Sequence, residues 1–215
     1  MDSMLSHLLV LLLFTDLLLL GTSRIRVSIR VVAAQGIVLG LLPFLLHFSD
    51  GISPSVIATA GLGLALRGVV FPWLLFRAMR AAGVGLAATP TISYSTAMFL
   101  GVLFTGYAFW LWSRLPLPVP PESPLVLPVA LSTQFVGLLL VITRRKALSQ
   151  VLGYIVLENG IFLLSVGLKI KEDLLVELGI LLDLFVALFI MGILVYHIRR
   201  EFDRIDVDQL TSLRG

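Results

Sequence analysis

The sequence predicts an all-α integral membrane protein with seven transmembrane helices. Three observations carry this reading. Of 215 residues, 58% are hydrophobic and only 13% are charged, whereas a soluble domain has about 45–50% apolar and about 25% charged residues. The mean hydropathy is +1.03. The apolar residues also fall into runs of roughly 20, the length a helix needs to cross a bilayer. The chain has no Cys, and its three His (His7, His47, His197) lie scattered at segment ends. Disulfides, Fe–S ligation and cysteine nucleophiles are therefore excluded, and an intrinsic metal site is disfavoured. The net charge of +3 calls for no nucleic-acid partner, because the basic residues sit where membrane topology places them.

The predicted spans are 4–22, 31–48, 54–76, 91–113, 125–143, 147–168 and 174–198. Span 1 resembles a signal peptide in its apolar run, but no basic residue precedes it. Arg24 and Arg26 follow it instead, so it reads as a retained helix. Span 2 is bounded by Arg30 and by Asp50-Gly51, and span 3 by Arg77 and Arg80. Span 4 closes on Phe109, Trp110 and Trp112, an interfacial aromatic belt, before the proline-rich run 115–122. Arg144-Arg145-Lys146 ends span 5, and Lys169 to Asp173 separates spans 6 and 7. The organisation is then a five-helix region 1–143, a two-helix region 144–198 and a tail 199–215. Loops this short leave no room for a soluble catalytic domain. No phosphate-binding glycine loop and no Ser/His/Asp set argues for a nucleotide site or a hydrolase.

Orientation follows from Lys and Arg in short loops. Seven spans put twelve basic residues on one side: Arg24, Arg26, Arg30, Arg77, Arg80, Arg144, Arg145, Lys146, Arg199, Arg200, Arg204 and Arg214. Three (Arg114, Lys169, Lys171) fall on the other, and Arg67 lies inside a span. The prediction is an external N-terminus and a cytoplasmic tail.

Ionisable groups at bilayer depth cost at least about 2.5–3.5 kcal/mol each and are functional candidates by default. Glu158 is near the middle of span 6, on a stripe with Gln150 and Tyr154 at i, i+4, i+8 and Ser165 near the same azimuth. Such a stripe can line a hydrated path with the carboxylate as a proton station. The alternative is a neutral carboxylic acid bonded to a neighbouring helix for packing alone, which Ser or Thr would do at lower cost. Asp183 lies deep in span 7 among Gly179, Ala187 and Gly192, whereas Glu177 is shallow enough to reach the interface. Arg67 is about 14 Å from the end of span 3 at 1.5 Å per residue, too far for simple snorkelling. Pro72, five residues on, frees carbonyls near Gly68. Arg67 is thus expected to bond such carbonyls or a buried carboxylate. Asp16 in span 1 either pairs with Arg67 or sits in a local water defect. Gln35 and Gln134 read as helix-to-helix hydrogen bonds, with a polar relay the lesser reading.

The last third of the chain resembles component E of the hydrogenase-4 family. The resemblance rests on Arg144-Arg145-Lys146, on Gly153-Tyr-Ile-Val-Leu-Glu158-Asn159-Gly160, on Leu174 to Asp183 with its Glu-(x)5-Asp, and on the ending Ile205 to Gly215. Spans 1 to 5 match more loosely, and a lysine is typical of the family where Arg67 stands. The last three spans also resemble the small K subunit of respiratory complex I and its relative in cation/proton antiporters. The two membrane glutamates of those proteins align at Ile155 and near Ala187, each one turn from Glu158 and Asp183.

The resemblance implies a membrane-arm subunit of a complex-I-like hydrogenase in a prokaryotic plasma (inner) membrane. Its partners would be antiporter-like and quinone-site-like chains and a peripheral module. The NiFe and Fe–S centres would lie in those partners, with none in this chain. Its own role would be relay of protons or coupled charge by Glu158, Asp183, Glu177 and Arg67, with Tyr154, Asn159, Asp16, Gln35 and Gln134 in support. A stand-alone carrier or antiporter subunit is the rival class, and a structural scaffold subunit is a third. Paired repeats, common in transporters, are not visible: Pro43, Pro72 and Pro128 fall at unrelated depths of their spans.

Overall fold

The computed structural model describes residues 2–46, 54–81, 91–115, 123–168 and 190–192, and within them the apolar runs are helices. They are α1 (Asp2–Gly21), α2 (Ile25–Leu46), α3 (Pro54–Ala65), a π-helical turn (Leu66–Val70), α4 (Phe71–Ala81), α5 (Tyr94–Trp112), α6 (Val126–Thr143) and α7 (Ala147–Gly167). No strand occurs among the described residues. Among the described residues, six helical stretches are long and apolar enough to cross a membrane, with α3, the π turn and α4 supplying one between them. Predicted span 7, with Glu177 and Asp183, lies outside the described residues apart from 190–192.

The helix starts follow local chemistry. Pro54 opens α3, where its missing N–H is not needed. Pro128 falls in the first turn of α6 for the same reason. Ser93 caps α5, its Oγ accepting from the Thr96 backbone N–H at 3.1 Å. Two predicted boundaries are corrected. Span 2 was expected to begin at 31, but α2 begins at Ile25: Ile25 and Ile29 face the core while Arg26 and Arg30 stay exposed. The charges that read as loop are the polar face of an ordinary first turn. Likewise α4 runs past 76 to Ala81, with Arg77 and Arg80 on its exposed face.

Glycines set the closest helix contacts. A Cβ on Gly137 of α6 would collide with the Leu157 backbone N, and one on Gly153 of α7 would come within 2.7 Å of Val141 N. One on Gly160 would lie 2.7 Å from Gln134 N. The α6–α7 hairpin therefore packs backbone against backbone, a contact only small residues allow. Gly36 and Gly40 of α2 do the same for the other half: added Cβ atoms would meet the Arg67 carbonyl at 2.8 Å and Leu64 Cα at 2.9 Å.

Two apolar clusters fill the bundle. One gathers Leu19, Leu20, Ile25, Ile29, Phe71, Leu75, Val136, Leu140, Leu148, Val151 and Ile155 at the end where α1, α4 and α6 finish and α2 and α7 begin. The other gathers Leu5, Leu9, Leu12, Leu39, Leu42, Val126, Val129 and Leu163 at the opposite end. Arg24, Arg26, Arg30, Arg77, Arg80, Arg144, Arg145 and Lys146 thus belong to one end of the molecule, as the alternation of spans expects, and Arg114 to the other. Large apolar side chains such as Phe14, Phe99, Val69 and Ile142 are exposed on the outer surface, as a lipid- or subunit-facing surface requires.

A polar layer between the two apolar clusters

On each of α1, α2, α6 and α7, buried polar residues lie between members of the two clusters. Asp16 falls between Leu12 and Leu19, Gln35 between Val32 and Leu39, Thr133 between Ala130 and Val136, and Glu158 with Asn159 between Val156 and Leu163. The result is a polar layer at mid-depth of the bundle. Two constellations make it up.

The first is an ion pair. Arg67 Nη2 donates to Glu158 Oε1 at 3.0 Å, with the side chains 4% and 1% exposed. The residues are 91 positions apart in sequence. Arg67 is placed by the π turn, in which the Phe71 N–H reaches back five residues to the Leu66 carbonyl. Pro72 has no N–H to return to the preceding turn, and a π turn is one way a helix absorbs such a gap. Close packing of Gly36 against the Arg67 backbone fixes that turn on α2. The guanidinium carbon also lies 4.6 Å from the Phe162 ring centroid. Glu158 and Phe162, one turn apart on α7, therefore hold the cation together.

The second is uncharged in its partners. Gln35 Nε2 donates to Asp16 Oδ1 at 2.8 Å and to Thr15 Oγ1 at 2.9 Å, and Thr133 Oγ1 donates to Asp16 Oδ2 at 2.7 Å. Asp16 thus joins α1 to α2 and α6, which corrects both expectations for it: it does not pair with Arg67, and it does not sit in a water defect. Arg67 is engaged by Glu158, and Asp16 is 1% exposed with two side-chain donors. Gln35 does make the expected helix-to-helix bond. So does Gln134, whose Nε2 donates to the Gly160 carbonyl at 3.3 Å.

The stripe on α7 is less continuous than its spacing suggested. Gln150 Nε2 is spent on the Arg144 carbonyl at 2.9 Å, and Ser165 Oγ on the Ile161 carbonyl at 2.9 Å. Tyr154 is half-buried and packs against the apolar cluster at the basic end. Asn159 is buried, and neither end of its amide has a hydrogen-bond partner among the described residues.

Arg144 escaped the sequence reading, which counted it only as a topology charge. It is 4% exposed, and its Nη2 donates to the Leu19 and Leu20 carbonyls at 3.1 Å each, closing the C-terminus of α1. A cation there also complements the negative end of the helix dipole. Burial lowers its pKa, and Tyr94, whose ring lies 5.2 Å away, opposes that shift. In sequence nothing separates Arg144 from its exposed neighbour Arg145.

Comparison with known proteins agrees with this architecture. Residues 125–215 match the family described as NADH-ubiquinone/plastoquinone oxidoreductase chain 4L, and the match takes in α6 and α7 with Thr133, Glu158 and Asn159. An uncharacterized protein of Mycobacterium tuberculosis is 33% identical over 208 residues, covering 94% of this chain and 92% of its own length. Hydrogenase-4 component E of Escherichia coli K12 is 36% identical over 102 residues, covering 46% of this chain and 47% of its own. The same protein from Shigella flexneri matches equally. The chain therefore aligns with about half the length of those hydrogenase components. No solved structure matches the chain. With the mycobacterial match running nearly end to end, the chain 4L match covering residues 125–215 and the component E match covering about half the chain, the chain belongs to the hydrogenase-4 component E family.

Proposed function

We propose that this protein is a membrane-arm subunit of a complex-I-like assembly, relaying protons or their coupled charge between a redox module and antiporter-like subunits. Family membership supports the assembly, and the names of the relatives support hydrogenase chemistry in partner chains that would hold the NiFe and Fe–S centres. We also propose the seventh span, the external N-terminus, the cytoplasmic tail and residence in a prokaryotic plasma (inner) membrane. One observation carries the relay: the Arg67–Glu158 pair, buried in the middle of the bundle.

The charge-assisted attraction between Arg67 and Glu158 exists only while Glu158 is an anion. A proton arriving at Glu158 neutralises it and weakens its hold on the guanidinium, for which the Phe162 ring is a second partner. The layer then carries one more positive charge. In a medium of low dielectric that charge repels the next arrival and favours deprotonation of a neighbouring carboxyl. Departure of the proton restores the pair. Asp183 and Glu177 are the proposed onward stations, with Tyr154 and Asn159 beside Glu158 on α7.

Two experiments test the reading. A tagged chain should copurify with larger membrane subunits and a peripheral redox module; recovery as an isolated, ion-transporting protein would refute the assembly. Within the assembly, Arg67→Lys keeps the positive charge and should retain much of the coupled pumping. Arg67→Gln should abolish it while the subunits still assemble. Full pumping in Arg67→Gln would refute the relay.

A further inference from the structure

The two constellations of the polar layer differ in a way that bears on protons. Glu158 faces a guanidinium, so protonation costs it an ion pair and leaves only an uncharged acceptor at Oε1. Asp16 faces a side-chain amide and a hydroxyl. When Asp16 is an anion, Thr133 donates to Oδ2, as the 2.7 Å contact permits. When Oδ2 carries a proton, the same contact runs the other way, because a hydroxyl both donates and accepts. Gln35 donates to Oδ1 in either state. The heavy atoms need not move.

We infer that Asp16 is a proton-binding site in its own right, taking up and releasing one proton between α1 and α6. Uptake forms one O–H bond on Oδ2 and turns Thr133 from donor to acceptor; release reverses both. A permanently ionised carboxylate in this place would be poorly served. It is 1% exposed, and an unpaired buried anion is among the costliest groups in a protein interior. Among the described residues, no cation reaches it from the elements packed on α1. Helix α2 presents Gln35 and carries Arg26 and Arg30 only at its exposed basic end, and α6 presents Thr133. The buried face of α5 is Ala97, Gly101 and Ala108. Arg144, a turn further along α1, is engaged by the Leu19 and Leu20 carbonyls, and Arg67 by Glu158.

The site is also tied to the ion pair. Gln35, which serves Asp16, precedes Gly36, which packs on the Arg67 backbone. One turn of α2 is thus the wall between the two constellations.

The inference stands apart from any role of Glu158, and infrared difference spectroscopy tests it directly. The full chain in its native membrane assembly is titrated across the physiological pH range in H₂O and in D₂O. A protonated carboxylic acid has a carbonyl stretch that shifts on deuteration. A pH-dependent band of this kind is expected in the wild type and in Glu158→Gln, and its loss is expected in Asp16→Asn. The asparagine keeps an acceptor toward Gln35 and a polar partner for Thr133, which protects the fold. Thr133→Val, similar in shape but without the hydroxyl, should displace the band, and Thr133→Ser should leave it in place. A spectrum of Asp16→Asn identical to wild type, or a band unmoved by Thr133→Val, overturns the inference.

Discussion

Removing the Arg67 side chain tests the energetics of the polar layer most sharply. Two unit charges 3.0 Å apart at an effective dielectric constant of about 20 attract by roughly 5–6 kcal/mol. Withdrawing both from water costs several kcal/mol per ion, so the intact pair contributes little net stability. Removing one partner is different. Arg67→Met leaves the Glu158 carboxylate buried at 1% exposure without its cation, and also removes the contact with the Phe162 ring. The expected cost is about 3–5 kcal/mol. The double variant Arg67→Met/Glu158→Met removes both charges and fills the space with apolar side chains, so it should lie within about 1 kcal/mol of wild type or above it. Reversible unfolding in detergent micelles, run on the wild type, both singles and the double, gives the coupling energy directly. A double variant as unstable as the two singles summed would show that the residues are not paired. The placement of Arg67 by the π turn would then be wrong.

Two further outcomes follow from the packing. Gly137→Ala should cost about 1–3 kcal/mol by overpacking, because its Cβ would collide with the Leu157 backbone. Gly106→Ala on α5, with nothing within 4 Å, should be neutral; thermal stability of the two side by side checks this, and a harmless Gly137→Ala would contradict the tight α6–α7 seam. Because the chain has no cysteine, single Cys residues at Ser23 and Arg145 should be labelled by an impermeant thiol reagent from the cytoplasmic side, and one at Ser113 from outside. Labelling of all three from one side would overturn the alternation of spans.

Much of the fold is legible in the sequence because bilayer thickness and burial of the backbone demand long apolar helices, which hydropathy reads directly. Arg67 and Glu158 stood out for the same reason: each is costly at mid-membrane, so each needed an account. Their pairing was not legible. It joins residues 91 positions apart and depends on a π turn and on the absence of a side chain at Gly36. Gln35 was expected to bond another helix, but its pairing with Asp16 was not legible and Thr133 went unnoticed, because only the packing of α1 against α2 and α6 brings the three together. Arg144 was missed for the opposite reason. It lies in a basic loop where charge is expected, and burial against the end of α1 has no local signature. Helix ends were misread where Arg26, Arg30, Arg77 and Arg80 occupy exposed faces of turns whose other faces are apolar.

The central claim is that Glu158 works as a titrating group and not as a packing element. Ion pumping coupled to redox turnover, measured in sealed vesicles for Glu158→Gln and Glu158→Asp with assembly followed in parallel, tests it most directly. Glutamine keeps the shape and a hydrogen bond to Arg67 but cannot release a proton; aspartate keeps the carboxylate one methylene shorter. Pumping should collapse in Glu158→Gln at near-normal assembly and survive in part in Glu158→Asp. Full coupled pumping in Glu158→Gln, with Glu158→Asp the more damaged of the two, would contradict the relay and leave the pair as a structural clamp between α7 and the π turn.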